Sequence, residues 1–171
     1  MRIAILGAGG AGKSWLAGEL GRRLSIAPVH LDALYYDAAW RPIPAQEWTQ
    51  IQQKLVKPER WIMDGNYQST AQIRLRAADT IIFLDTPTHR RLLRLVARRL
   101  RRTGPARPDV VGSERLNWQF LRYVATFNGL RRQQMLDTFE AHAHHATVAI
   151  LRRKADIDAL LDQASSPVTS V

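Results

Sequence analysis

The stretch Gly7-Ala8-Gly9-Gly10-Ala11-Gly12-Lys13-Ser14 constrains this chain more than any other feature. It fits the pattern G-x-x-x-x-G-K-[ST], and it stands between a short apolar run, Arg2 to Leu6, and a helical pattern, Lys13 to Leu24. That strand–loop–helix context is the one the pattern needs. Glycines permit backbone conformations that aim successive N–H groups at one point, and a helix N-terminus adds positive potential there. Such a cradle selects a polyphosphate. Gly7, Gly9, Gly10, Ala11 and Gly12 would offer backbone, Lys13 would reach the β and γ phosphates, and the Ser14 hydroxyl would ligate a bridging Mg2+. ATP with Mg2+ is therefore expected. A dinucleotide-binding G-x-G-x-x-G reading leaves Lys13 without a use, and no ribose-binding acid closes the second strand beyond Asp32.

The remaining chain alternates strands and helices. Arg2 to Leu6, Pro28 to Asp32, Trp61 to Asp64, Thr80 to Asp85 and Thr147 to Leu151 read as five parallel strands, three of them ending in Asp. Helical patterning covers Lys13 to Leu24, Gln46 to Val56, Thr88 to Arg102, Ser113 to Phe127, Leu130 to Ala143 and Asp156 to Gln163. This order implies an α/β sheet covered on both faces. One domain over 1–163 is expected from 171 residues with 46% hydrophobic side chains, followed by a frayed tail at 164–171. Thr103 to Asp109 is rich in turn formers, which suggests a lid over about 103–112. Without cysteine, disulfides, thiolate metal sites and cysteine nucleophiles are excluded. Only four apolar residues precede the glycine run, far fewer than the roughly 20 of a membrane span, so a cytoplasmic chain with no membrane partner is expected.

The P-loop together with His30-Leu31-Asp32, Trp61 to Tyr67, Ala78 to Asp85 and the arginine helix that follows resembles the adenylate-kinase-like P-loop proteins known as DNA topology modulation proteins. The resemblance implies a three-layer, nucleoside-monophosphate-kinase-like fold: a five-stranded parallel sheet in order 2-3-1-4-5, a small acceptor-side insertion over about 33–58, and an arginine-bearing lid. It implies a small-molecule or nucleotide kinase acting on ATP and an unidentified acceptor. In that strand order Asp64 lies beside the P-loop strand and would face Mg2+, with Asp85 as its competitor. Asp32 would orient or deprotonate an acceptor hydroxyl, or else cap the following segment. His30, read as pointing to the opposite side of the strand from Asp32, is expected to pack rather than to act. His142, His144 and His145, crowded at a helix end, are either solvent-facing or metal-binding. Tyr35, Tyr36, Trp40 and Trp48 either stack a planar acceptor or pack a subdomain.

The Thr-Gly pair and the Pro-Arg segment with which adenylate kinases hold AMP are replaced here by His30 to Ala33 and Asn66-Tyr67-Gln68, with Arg74 or Arg76 as substitutes. Trp15 takes the place of a hydroxyl residue in the nucleotide-binding set, where it either packs under the helix or alters the fit of the nucleotide.

Charge is localised. Between His89 and Arg132 stand 12 Arg and two acids, whereas the remainder balances 13 basic against 13 acidic residues. Arg91, Arg94, Arg98 and Arg102 form one helical stripe, and like charges stacked this way are destabilising without an anion. In the adenylate-kinase resemblance Arg94 and Arg98 would neutralise the transferring phosphoryl group, with Arg102 and Arg107 joining from the lid. The rival reading is loose, non-sequence-specific nucleic-acid binding through 89–132, because a charge of +10 on a short segment suits a phosphate backbone. No base-reading module accompanies it.

Overall fold

The computed structural model describes residues 1–37, 41–100 and 130–165. Five strands form one sheet: β1 (Arg2–Gly7), β2 (Pro28–His30), β3 (Trp61–Asp64), β4 (Thr80–Leu84) and β5 (Thr147–Leu151). All pairings are parallel and the order is β2-β3-β1-β4-β5, as expected. The helices are α1 (Lys13–Leu24), α2 (Leu31–Tyr35), α3 (Ala45–Leu55), α4 (Ala71–Ala77), α5 (Thr88–Leu100), α6 (Leu130–His142) and α7 (Lys154–Ser165). A 3₁₀ turn, Gln68–Thr70, precedes α4. The expected lid over 103–112 and the helix over 113–127 lie outside the described residues.

Alternation along the central strands builds two cores. Ala4, Leu6, Met63, Ile81 and Phe83 face Ala71 and Leu75 of α4 and Met135 and Phe139 of α6. Ile3, Ile5, Ile62, Ile82 and Leu84 face Leu16, Ala17 and Leu20 of α1 and Ile157 and Leu161 of α7. Because β1, β3 and β4 are covered on both sides, their sequences run continuously apolar.

Two local departures from the expected elements have physical causes. Strand β2 was expected to continue to Asp32, but its ladder ends at His30, paired with Asp64, the last residue of β3. Beyond it Gly65 turns away at φ +141, and a Cβ there would meet the Leu31 Cβ at 2.9 Å. Leu31 therefore tucks against Gly65 and starts a helix instead of adding a rung. Helix α4 was not expected at all. Its inward positions are Ala71, Arg74, Leu75 and then Ala78, and a buried arginine in an otherwise apolar stripe hides the helical period.

Asp85, just after β4, ties three elements together. Its carboxylate accepts from Arg132 of α6 at 3.0 Å and from Arg152, which follows β5, at 2.9 Å. Partial burial raises its pKa, but the hydrogen bonds and charges of the two arginines outweigh this and hold it below the ordinary carboxylate value. A depressed carboxylate pKa stabilises the fold above the unfolded value and loses that contribution as pH falls through the folded one. Asp85→Asn should therefore cost about 1–2 kcal/mol at neutral pH, given that Arg152 is largely exposed. Urea titrations of both proteins should show that gap closing as pH falls below the ordinary carboxyl value of 3.8. Glycine substitutions give a second check. Gly7 has φ +145 and would place a Cβ 2.7 Å from the Leu84 carbonyl oxygen, whereas Gly18 has open space around it. Gly7→Ala should destabilise by more than about 1 kcal/mol and Gly18→Ala should stabilise by roughly 0.5–1 kcal/mol, as read from the same titrations.

Candidate active site

The glycine loop leaves the centre of the sheet where β1 ends. Gly10 (φ +76) and Gly12 (φ +102) take left-handed conformations, and Gly12 caps α1 by accepting from the Leu16 amide at 3.0 Å. Gly9 precedes both of these turns. Ala11 donates its amide to the Ala8 carbonyl at 3.2 Å, which closes the loop. Asn66 holds the loop from outside, its Oδ1 accepting from the Gly7 amide at 3.0 Å. The Lys13 ammonium folds back over the loop and donates to the carbonyls of Gly7 (3.0 Å) and Ala8 (3.3 Å). Its charge is thus held against the loop backbone. Trp15, at 56% exposure, is not packed under the helix, so that alternative falls.

Beneath the loop, the Ser14 hydroxyl donates to Asp64 Oδ2 at 2.9 Å. The other carboxylate oxygen, Oδ1, lies 2.5 Å from His30 Nδ1. Asp64 is only 4% exposed and His30 12%. The contact follows from register: His30 and Asp64 are paired positions at the ends of parallel neighbours, so their side chains emerge on one face. The expectation that His30 points away from the site is corrected here. Strand residues two apart share a face, so counting back from Asp32 gives no ground for turning His30 away, and the strand in any case stops before Asp32. Aligning the last residues of the second and third strands would have found the pair. A hydroxyl beside a carboxylate is the hard-oxygen donor set that suits Mg2+, so Ser14 and Asp64 fit that ion. Asp85, the competitor, is instead committed to Arg132 and Arg152.

Among the described side chains of the arginine helix, Arg94 reaches the loop. Arg94 Nη1 donates to the Ala11 carbonyl at 2.9 Å, and a Cβ on Gly12 would lie 3.6 Å from the same nitrogen. Arg91, expected in the same anion-facing stripe, is buried and donates to Thr88 Oγ1 at 2.8 Å, so the stripe does not act as one surface. The Arg98 side chain and all of Arg102 and Arg107 lie outside the described structure.

Asp32 sits in α2 rather than at a strand end, and its Oδ1 accepts from the Tyr67 hydroxyl at 2.7 Å. Burial and the adjacent Asp32 charge push the Tyr67 phenol far up, so it remains a protonated donor. Tyr67 is itself held at φ +39, an uncommon conformation for a side-chain-bearing residue. Its ring packs on Tyr35 (centroids 4.6 Å apart) and on the buried Trp48 (4.9 Å), and Tyr35 also contacts Tyr36 at 5.0 Å. Trp40 lies outside the described residues. Arg74, considered above as an acceptor-binding substitute, is 1% exposed and donates to the carbonyls of Gly65 (3.1 Å) and Asn66 (2.7 Å) and to Gln52 Oε1. Burial pulls it down to about 10, partly opposed by the Asp64 charge, and it stays protonated at neutral pH. It is a structural tie and not a ligand contact. Arg76 is exposed and lies 3.4 Å from His142. Among the described residues no group of three or more His, Asp or Glu could hold a metal ion, and no helix is long and apolar enough to cross a membrane.

No protein-family model matches the chain, and no curated protein matches it in sequence. Solved structures do match. Shikimate kinase from Acinetobacter baumannii in complex with shikimate superposes with a TM-score of 0.57 at 18% identity, covering 95% of this chain and 89% of that one. A sugar kinase from Janibacter sp. gives 0.54 at 13% identity, covering 95% and 91%. Deoxyadenosine kinase from M. mycoides with bound dATP gives 0.52 at 17% identity, covering 97% and 100%. With the strand order above, these likenesses establish the fold: a P-loop kinase fold over nearly the whole chain.

Proposed function

We propose that this protein is an ATP-dependent phosphotransferase that moves the γ-phosphoryl group of ATP to a hydroxyl of a small acceptor. The observation that carries this reading is the Ser14–Asp64 oxygen pair under a loop spanned by Lys13, with a second carboxylate, Asp32, presented separately on the acceptor side. One oxygen pair suits a magnesium nucleotide, and the other carboxylate suits a hydroxyl. A Mg2+ ion held by Ser14 and Asp64 would supply neutralisation of phosphate charge.

The residues then divide the work. Loop amides and Lys13 bind the phosphates, and Lys13 exchanges its two carbonyl partners for phosphate oxygens when nucleotide enters. Arg94, already resting on the loop at Ala11, offsets charge on the transferring group, and Arg98, Arg102 and Arg107 are assigned the same duty from beyond the described side chains. Tyr67 fixes one oxygen of Asp32, which orients the other. Asp32 accepts the proton of the acceptor hydroxyl as its oxygen bonds to phosphorus, and ADP leaves. The finer assignment, to the DNA topology modulation proteins, is supported by the His30-Leu31-Asp32 and Asp64-Gly65-Asn66 segments and names no acceptor. Nucleic-acid binding through 89–132 is the weaker reading, because Arg91, Arg94 and Arg132 have internal partners.

Lys13→Ala should abolish tight ATP binding by calorimetry while circular dichroism stays unchanged. Unaltered affinity would sink the loop assignment. Arg94→Lys retains charge but loses the planar fork, so turnover should fall by about tenfold or more at constant fold. In a magnesium titration Asp64→Asn should weaken activity far more than Asp85→Asn, and the opposite order would reverse the metal assignment.

A further inference from the structure

We infer that His30 is a positioning residue for the metal-facing carboxylate, an inference that rests on the magnesium role proposed for Asp64. The geometry is specific. Asp64 has two oxygens, and each has its own neighbour: Oδ2 takes the Ser14 hydroxyl at 2.9 Å, while Oδ1 lies 2.5 Å from His30 Nδ1. A carboxylate oxygen can only accept, so Nδ1 carries the proton and points it at Oδ1. A carboxylate at 4% exposure that lacked this donor would keep one desolvated oxygen and would be free to rotate about χ2. With the donor present, Oδ1 is pinned away from the loop and Oδ2 alone is directed to Ser14. His30 thereby sets which oxygen an ion would meet and prevents bidentate capture.

Backbone placement makes the role sturdy. His30 and Asp64 are register partners at the level where β2 and β3 end, so the sheet ladder and not a flexible loop sets their separation. Two residues further on, Asp32 stands in α2. A single strand-to-helix turn therefore carries the group that orients the metal-side carboxylate and the group that faces the acceptor.

Partners that orient ligating groups from behind typically account for 10–100-fold in metal affinity. The test uses ADP as probe, with and without Mn2+, and reads by calorimetry how much Mn2+ tightens ADP binding. His30→Leu and His30→Gln should lose 10–100-fold of that metal-dependent gain and leave metal-free ADP affinity unchanged. His30→Asn, whose side-chain nitrogen falls near the place of Nδ1, should keep most of it. The Gln and Asn variants are both polar and of similar size, so their contrast survives a His30→Leu protein that fails to fold. Full metal-dependent gain in His30→Gln would overturn the inference, as would equal loss of metal-free ADP affinity or failure of His30→Asn to restore the gain. Asp64→Asn separates the two levels. If it loses the gain while the His30 variants keep it, the magnesium role stands and the positioning role falls. If Asp64→Asn also keeps the gain, or Mn2+ does not affect ADP binding to the unmodified protein, the magnesium reading itself falls.

Discussion

The Asp64 carboxylate is buried where three pieces of backbone meet: the end of β3, the end of β2 through His30, and the first turn of α1 through Ser14. Burying such a charge without donors would cost several kcal/mol, so the three pieces are not free to drift apart. Their alignment is inherited from the sheet. β1 pairs with β3 so that Ile5 stands opposite Asp64, and the Gly65 amide then donates to the Ile5 carbonyl at 3.2 Å. That bond and the Asn66–Gly7 bond keep the exits of β1 and β3 level, which places the glycine loop directly beside the carboxylate. Parallel order thus becomes site geometry through a few hydrogen bonds at the C-terminal ends of the central strands.

Much of this was readable because the central strands are covered on both faces, which makes them continuous apolar runs, and because the glycine loop fixes which strand stands in the middle. The misreadings share a cause. Leu31 and Asp32 continue an apolar–polar alternation after Val29 and His30, and period alone cannot say that the pairing partner has ended. Arg74 looks like a surface residue in sequence, yet three backbone and side-chain oxygens receive its guanidinium in the interior. Tyr67 had no signal at all. Its value lies in a left-handed backbone and a hydroxyl aimed at a residue 35 positions away, neither of which is written in residue type.

The arginine-rich segment shows why formal charge is a poor guide to external field. Arg132 is matched to an acid from another part of the chain, Arg91 is buried, and Arg94 rests on a carbonyl. Each of these positions reads as solvent-facing charge in a composition count. Each is occupied in holding or completing the interior edge of the fold.

The tie made by Gln52 and Arg74 bears on modularity. Gln52, in the segment inserted between β2 and β3, accepts from Arg74 and donates to Thr70 Oγ1 at 2.6 Å, while Arg74 continues to Gly65 and Asn66 beside the glycine loop. The insertion is therefore not an interchangeable cassette. A graft that brings another insertion without an amide at position 52 strands a buried guanidinium, at a cost of about 1.5–3 kcal/mol for each lost charged hydrogen bond. Exchanging this segment on the scaffold requires moving α3 and α4 together, as one inherited unit.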